Sequence, residues 1–343
     1  MADAGLPDTR IPVTVVTGFL GAGKTTLVNR LLSKPGGRRF AVIVNEFGDI
    51  GIDGDLIRTG EEELIELSSG CICCVVRGDL IRSLRNLLAE KPDLDGIIIE
   101  TTGLANPSPV IQTLAIDQTI AARCRLDSVL CVVDAVHVLD RLADTADAAD
   151  QIAFSDHLVL NKADDAAVPL DDIEARLRML NPFARIVRAN RADVPAGDIL
   201  DRHGFDLDRI AAQLAPDADG DGHGHGHGHE HGHVHDHIEA SGIASVSLSC
   251  AAPLDGARLE EWLTGLLARH GSDILRTKGI LSVAGEDRKL AVQAVNMMLE
   301  GDYIGDWGDE ARRSRLVFIG RRLDRAALEA AFDRCRQDAA VHA

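Results

Sequence analysis

Short β-branched runs alternate with amphipathic segments over residues 1–215 of the 343-residue chain. The apolar runs predict strands at Pro12–Thr17, Phe40–Asn45, Gly96–Glu100, Asp127–Asp134, His157–Asn161 and Arg185–Arg188. Between them, apolar positions three and four apart predict helices at Lys24–Ser33, Gly78–Glu90, Pro109–Thr119, Asp147–Phe154, Asp171–Leu180 and Asp206–Leu214. Several strands are almost wholly apolar, Ile97-Ile98-Ile99 most plainly, as expected of strands buried on both faces. This alternation predicts an α/β domain with a mostly parallel sheet between helices.

The pattern stops at residues 216–240, where Gly, Asp and His replace it. Eight of the thirteen histidines stand at alternate positions there: His223, His225, His227, His229, His231, His233, His235 and His237. No hydrophobic core can form from such a segment, so it reads as a flexible linker whose imidazoles gather metal weakly, the plain alternative being a solvated spacer. Patterning resumes over residues 241–343 with expected strands at Ile243–Ser249, Arg276–Val283, Lys289–Asn296 and Arg315–Ile319. Expected helices lie at Leu259–Arg269 and Arg325–Cys335. The second and third of these strands should pair across Ala284–Arg288, and the order suggests a small α+β domain.

Composition narrows the function classes. Hydrophobic residues at 45% and charged residues at 26% exclude a disordered or fibrous chain. A formal charge of −18 argues against broad attraction to nucleic acid or anionic membrane, so any phosphate binding has to be local. Met1–Arg10 has no basic-then-apolar leader and no apolar run approaches a bilayer span, which gives a cytoplasmic expectation. Of seven cysteines, three crowd into Cys71-Ile72-Cys73-Cys74, a spacing suited to metal or thiol chemistry and not to a disulfide framework. Cys131 lies inside an apolar strand, and Cys124, Cys250 and Cys335 are scattered without partner spacing, as structural cysteines are.

Gly18-Phe19-Leu20-Gly21-Ala22-Gly23-Lys24-Thr25 is a complete phosphate-binding loop between an apolar strand and a helix. Its glycines let N–H groups curl around phosphates, Lys24 supplies charge to the β- and γ-phosphates, and the Thr25 hydroxyl can ligate Mg²⁺, with Thr26 beside it on the helix. Glu100 ends a neighbouring strand where a metal-side acid belongs, reaching Mg²⁺ through water, and the Gly103 N–H is placed to meet the γ-phosphate. Asn161-Lys162-Ala163-Asp164 follows another strand. The Asp164 carboxylate can accept from both N1–H and the 2-amino group of guanine, which adenine cannot offer, so GTP is favoured over ATP.

The three thiols Cys71, Cys73 and Cys74 read as a loop ahead of the Gly78 helix and can converge on one borderline-soft ion, leaving a position open for transfer. A redox pair or small buried hydrophobes are the alternatives. Asn45-Glu46-Phe47-Gly48-Asp49 occupies the place of a switch loop, with Glu46 and Asp49 near Mg²⁺ or the thiol-bound metal, or else simply solvated.

Taken together, Gly18–Thr25, Asn45–Gly48, Cys71–Cys74, Glu100–Gly103 and Asn161–Asp164 resemble the CobW family of P-loop GTPases, metallochaperones related to the accessory GTPases of urease and hydrogenase. The resemblance spans nearly the whole chain, including the His-rich linker. It implies metal binding by Cys71, Cys73 and Cys74 and nucleotide binding by Gly21, Gly23, Lys24, Thr25, Glu100, Asn161 and Asp164, with nucleotide state controlling metal capture. Asn106 departs from the Asp that members often carry. The short stretch from Asp53 to Cys71 looks more like the zinc-related branch than the cobalamin branch, so Zn²⁺ is expected and Co²⁺ is the alternative. The implied partner is a metal-requiring client protein, with homo-oligomerisation left open. Two rivals stand beside this reading. One is a passive His-rich metal store, against which the complete loop counts. The other is a small-metabolite kinase, which should carry a lid and substrate arginines.

Overall fold

The computed structural model describes residues 8–33, 37–45, 64–67, 73–103, 106–202, 204, 207, 210, 214 and 242–337, with backbone alone for 45, 64–67 and 73–77. Cys71, Glu46 with the rest of the switch-like loop, the His tract and most of the expected helix Asp206–Leu214 lie outside the described residues. The chain divides into two compact units. One comprises Met1–Val138, Ser155–Leu170 and Ala184–Gly204; the other comprises Leu139–Phe154, Asp171–Phe183 and Phe205–Ala343.

In the first unit seven strands form one sheet: β1 (Ile11–Thr17), β2 (Phe40–Asn45), β3 (Leu64–Leu67), β4 (Gly96–Glu100), β5 (Cys124–Asp134), β6 (His157–Asn161) and β7 (Arg185–Arg188). Their order is β3-β2-β4-β1-β5-β6-β7, and every pairing is parallel. β1 is central, with β4, β2 and β3 outward on one side and β5, β6 and β7 on the other, so the carboxyl ends of β1, β4, β5 and β6 flank the switch point where open α/β sheets hold ligands. Helices of this unit are α1 (Lys24–Ser33), α2 (Cys73–Glu90), α3 (Ser108–Ile116) and α4 (Gln118–Ala121). On α1, Leu27, Val28, Leu31 and Leu32 form a one-sided buried stripe that packs with Val16, Val42, Ile98 and Val132 from the sheet. Each such side chain contributes on the order of 1.5–3 kcal/mol relative to exposure.

Three of the expected elements have different bounds in the structure. The sequence-predicted helix at Gly78 begins five residues earlier, at Cys73, so Cys73 and Cys74 form its first turn and not a loop. The β-branched pair Val75-Val76 and the glycine at 78 hid that turn. The expected helix Pro109–Thr119 breaks at Asp117, whose extended backbone ends α3 and whose carboxylate accepts the Thr119 and Ile120 N–H groups to start α4. The expected strand Asp127–Asp134 starts at Cys124 because β1 pairs with it from Ile11 onward. β3 was not anticipated at all, its four residues Leu-Ile-Glu-Leu being too short to show a period.

The second unit holds α5 (Val138–Asp144), α6 (Ala146–Phe154) and α7 (Leu170–Leu180), the first residues of α5 and α7 belonging to the first unit. A short helix α8 (Ala196–Ile199) returns to the first unit. The second unit's sheet is antiparallel, ordered β11-β10-β9-β12-β8, with β8 (Ile243–Cys250), β9 (Ile274–Leu281), β10 (Arg288–Val295), β11 (Met298–Asp306) and β12 (Ser314–Arg321). β9 and β10 pair as the sequence predicted. β11 is new, joined to β10 by a tight turn in which Asn296 takes a left-handed φ of 53°. Helices α9 (Gly256–His270) and α10 (Arg325–Arg334) cap at Asp255 and Asp324 and bury Leu259, Leu263, Leu267, Leu328 and Phe332 against one sheet face. Helix α6 is held by arginines from the sheet: Arg321 pairs with Asp150 at 2.7 Å, and Arg276 Nη1 donates to the Phe154 carbonyl at 2.7 Å.

Candidate functional site

The site is built from the carboxyl ends of parallel strands, where backbone chain leaves the sheet and can face a ligand. β1 leads into Gly18–Gly23, in which Gly18, Gly21 and Gly23 take φ values of 135°, 76° and 107° that L side chains rarely adopt. α1 then starts at Lys24, which is 7% exposed and donates its Nζ proton to the Phe19 carbonyl at 3.3 Å. The amine is thus held inside its own loop, aimed at the space the glycines enclose. Thr25 donates its hydroxyl to Glu100 Oε1 at 2.7 Å across 75 residues of sequence. The register Val16↔Glu100 explains the meeting, since β1 and β4 end level with one another.

Thr25 and Glu100 thus form a hard-oxygen pair, the donor chemistry that suits Mg²⁺. The hydroxyl and, through water, the carboxylate are the groups that would hold the ion, which when bound neutralises charge on the β- and γ-phosphate oxygens. Thr26 is exposed and lines, with Thr25, Asn29, Arg30 and Ser33, a cavity of about 270 Å³ along α1.

Asn161, an expected nucleotide-binding residue, meets two backbone groups. Its Nδ2 donates to the Ala22 carbonyl at 2.8 Å and its Oδ1 accepts the Ala192 N–H at 2.7 Å, so the buried amide straps the phosphate loop to the turn after β7. The strap needs a glycine beneath it, because a Cβ on Gly23 would stand 2.5 Å from Asn161 Nδ2. Lys162 has a left-handed φ of 59° and places Nζ 2.7 Å from Asp134 Oδ2. Asp134 is itself fixed by the Val136 N–H at 3.0 Å. Asp164 is exposed at the start of a single 3₁₀ turn, its N–H held by Asn190 Oδ1 at 2.9 Å. The carboxylate is presented to solvent at the same sheet edge as the phosphate loop, as a guanine acceptor requires. Asp164→Asn is therefore expected to abolish most of the preference for GTP over ATP in competition binding, and equal displacement by the two nucleotides in the native chain would contradict the assignment.

Asp134, Asn190 and Ala192 were missed in the sequence. Asp134 carried a readable signal, an acid ending a buried strand just as Glu100 does. Asn190 and Ala192 carried none, because they act through the turn conformation in which Arg191 and Ala192 take φ of 51° and 56°. Asn106 accepts the Ser108 N–H at 2.8 Å and starts α3, a role an Asp would fill equally.

Of the metal candidates, the described residues include the backbone of Cys73 and Cys74, which open an 18-residue helix. A helix N-terminus favours thiolate over thiol. The four remaining cysteines are buried. Burial pushes the Cys131 thiol up to about 12 despite the nearby Lys24 charge, and pushes Cys124 and Cys335 to about 11. Alkylation of the native protein at about pH 8 should therefore modify Cys71, Cys73 and Cys74 and spare these four; peptide mapping that finds Cys131 or Cys124 labelled at a comparable rate would contradict it.

Residues 12–188 match the model of the CobW/HypB/UreG nucleotide-binding domain, and residues 243–336 match that of the cobalamin synthesis protein cobW C-terminal domain. The chain is 32% identical over 326 residues to the zinc chaperone YjiA of Escherichia coli, covering 94% of this chain and 98% of that protein. It is 37% identical over 365 residues to the zinc chaperone CobW of Pseudomonas aeruginosa, covering 95% and 92%. The crystal structure of Zn(II)-bound YjiA GTPase from E. coli superposes with a TM-score of 0.75 at 27% identity, covering 96% of this chain and 99% of that one.

Proposed function

The chain belongs to the CobW family of P-loop GTPases, and from that premise we propose that it is a zinc metallochaperone that binds Zn²⁺ through Cys71, Cys73 and Cys74 and yields it to a client protein under the control of GTP hydrolysis. The observation that carries the reading is the start of α2 at Cys73, which puts two thiols on the N-terminal turn of a helix in the same unit as the phosphate loop. All seven strands of that unit are parallel, so the segment after β3 leaves the sheet at the edge where the phosphate loop leaves β1. β3 stands three places from β1, roughly 14 Å across at about 4.8 Å per step. That separation keeps the zinc off the phosphates while leaving both sites at one edge of the sheet.

Each residue then has a role. Lys24 and the loop N–H groups hold the β- and γ-phosphates, Thr25 and Glu100 hold the cation, and Asp164 selects guanine. Asn161, Asp134 and Asn190 keep these groups in register. The histidines from His223 to His237 act as a weak reservoir, since a tract without a core cannot hold fixed coordination geometry. Among the described residues no helix is long and apolar enough to cross a membrane, in keeping with an encounter with clients in the cytoplasm.

The reading is tested by zinc titration of the chain lacking Gly222–His237. Zinc stoichiometry should fall while one tight site survives. Loss of the tight site with the deletion would make the histidines the primary ligands and the chain a store.

A further inference from the structure

Glu100, which ends β4, and the residues that follow it to Gly103 run along the phosphate loop, and the first two turn their side chains to opposite sides. Glu100 faces Thr25, whose hydroxyl it receives at 2.7 Å. Thr101 faces the other way: its hydroxyl contacts Thr17 Oγ1 at 3.1 Å, while its N–H extends the ladder to the Val16 carbonyl at 2.9 Å. Gly103 passes so near the loop that a Cβ there would lie 2.6 Å from the Leu20 nitrogen. Thr102 stands between Glu100 and Gly103 and, by the two-residue period of extended chain, its side chain shares the Glu100 side. Its Oγ1 is buried and makes no hydrogen bond among the described residues. A buried hydroxyl left without a partner is costly, and the natural partner at this position is one that arrives with the nucleotide.

We propose that Thr102 is a catalytic residue that holds the attacking water for GTP hydrolysis. The inference rests on the reading of Gly18–Thr25 as the GTP phosphate site. The residue after Gly103 is Leu104, whose apolar side chain offers a water no hydrogen bond, so a positioning group has to come from elsewhere. Thr102 Oγ1 accepts a hydrogen bond from the water and turns an oxygen lone pair toward the γ-phosphorus. The new P–O bond forms as the bond from the γ-phosphorus to the β–γ bridging oxygen breaks, and that electron pair leaves on GDP. The protons of the water pass to inorganic phosphate and solvent. Thr102 is unchanged at the end and needs no shift in protonation, since orientation and not proton abstraction is what it supplies.

Thr102→Val keeps the shape and removes the hydroxyl; Thr102→Ser keeps the hydroxyl. Single-turnover phosphate release should fall on the order of 10- to 100-fold in Thr102→Val and recover to within about threefold of native in Thr102→Ser. Affinities for GDP and a non-hydrolysable GTP analogue, with thermal melting as a check on folding, should be unchanged in both. Native turnover in Thr102→Val overturns the inference while leaving the GTPase standing, and so does a Thr102→Ser variant as slow as the valine. A matched loss of analogue affinity would make the hydroxyl a phosphate ligand instead. Phosphothreonine at position 102 after incubation of the native chain with GTP would make it the nucleophile, which equally overturns the proposal. A native chain that binds GTP and releases no phosphate would remove the hydrolase reading itself.

Discussion

Lys24→Ala should lower GTP turnover on the order of 100- to 1,000-fold while leaving the chain folded. The magnitude follows from where the charge sits. Lys24 is 7% exposed at the first position of α1, and its Nζ is held by the Phe19 carbonyl 3.3 Å away, so the ammonium is preorganised before any nucleotide arrives. A charge held in a site shielded from water stabilises developing charge on the β–γ bridge far more than a solvated lysine does, and it needs no reorganisation at the moment of reaction. The fold should survive because α1 is anchored by Leu27, Val28, Leu31 and Leu32, none of which touches the ammonium's role, and because alanine is the best helix former for the vacated position. Phosphate release and circular dichroism measured on the same preparation check both halves. A folded Lys24→Ala chain with native turnover would remove the lysine from the mechanism.

The sequence made the nucleotide half of this protein legible because its chemistry is local. A loop such as Gly18–Thr25 works through consecutive backbone groups, and the strand before it and helix after it carry plain periodicities. Glu100 and Asp164 were readable for a related reason: each ends or follows an apolar run, and the carboxyl end of a buried parallel strand is where a functional side chain can stand. The supports of these residues were not legible. Asn161 was legible as part of a nucleotide-binding pattern but not as a strap, since its partners Ala22 and Ala192 are 139 and 31 residues away and both meet it through backbone groups. Asn190 holds Asp164 through a turn whose left-handed residues Arg191 and Ala192 are ordinary in composition. In the second unit, β11 was missed because Met298–Asp306 mixes two glycines with three acids and is only half covered, so little alternation survives. The start of α2 was missed because thiols and β-branched residues are indifferent helix formers, so the helical pattern became plain only from Gly78 onward. That last miss matters most for function, since it moves Cys73 and Cys74 from a loop to a helix N-terminus.

GTP should tighten zinc binding by about 5- to 150-fold, the span of couplings of ~1–3 kcal/mol, and zinc must tighten GTP binding by the same factor. The route lies in the sheet. β2 ends at Asn45, next to β4 with its terminal Glu100 on one side and β3 on the other, and the segment after β3 carries the thiols into α2. Contacts that a γ-phosphate makes at the ends of β4 and β2 therefore bear on a neighbour of the metal segment without crossing the core. Cys73→Ser with Cys74→Ser should remove the tight zinc site and the coupling together, and leave metal-free GTP affinity nearly unchanged, because neither thiol belongs to the phosphate loop. The most direct measurement is a zinc titration of the native chain in three states: with Mg²⁺ and a non-hydrolysable GTP analogue, with Mg²⁺ and GDP, and with no nucleotide. Tightest binding in the GTP-like state, lost in the double serine variant, is the expected result; equal zinc affinity in all three states would contradict nucleotide control and leave a protein that merely stores metal.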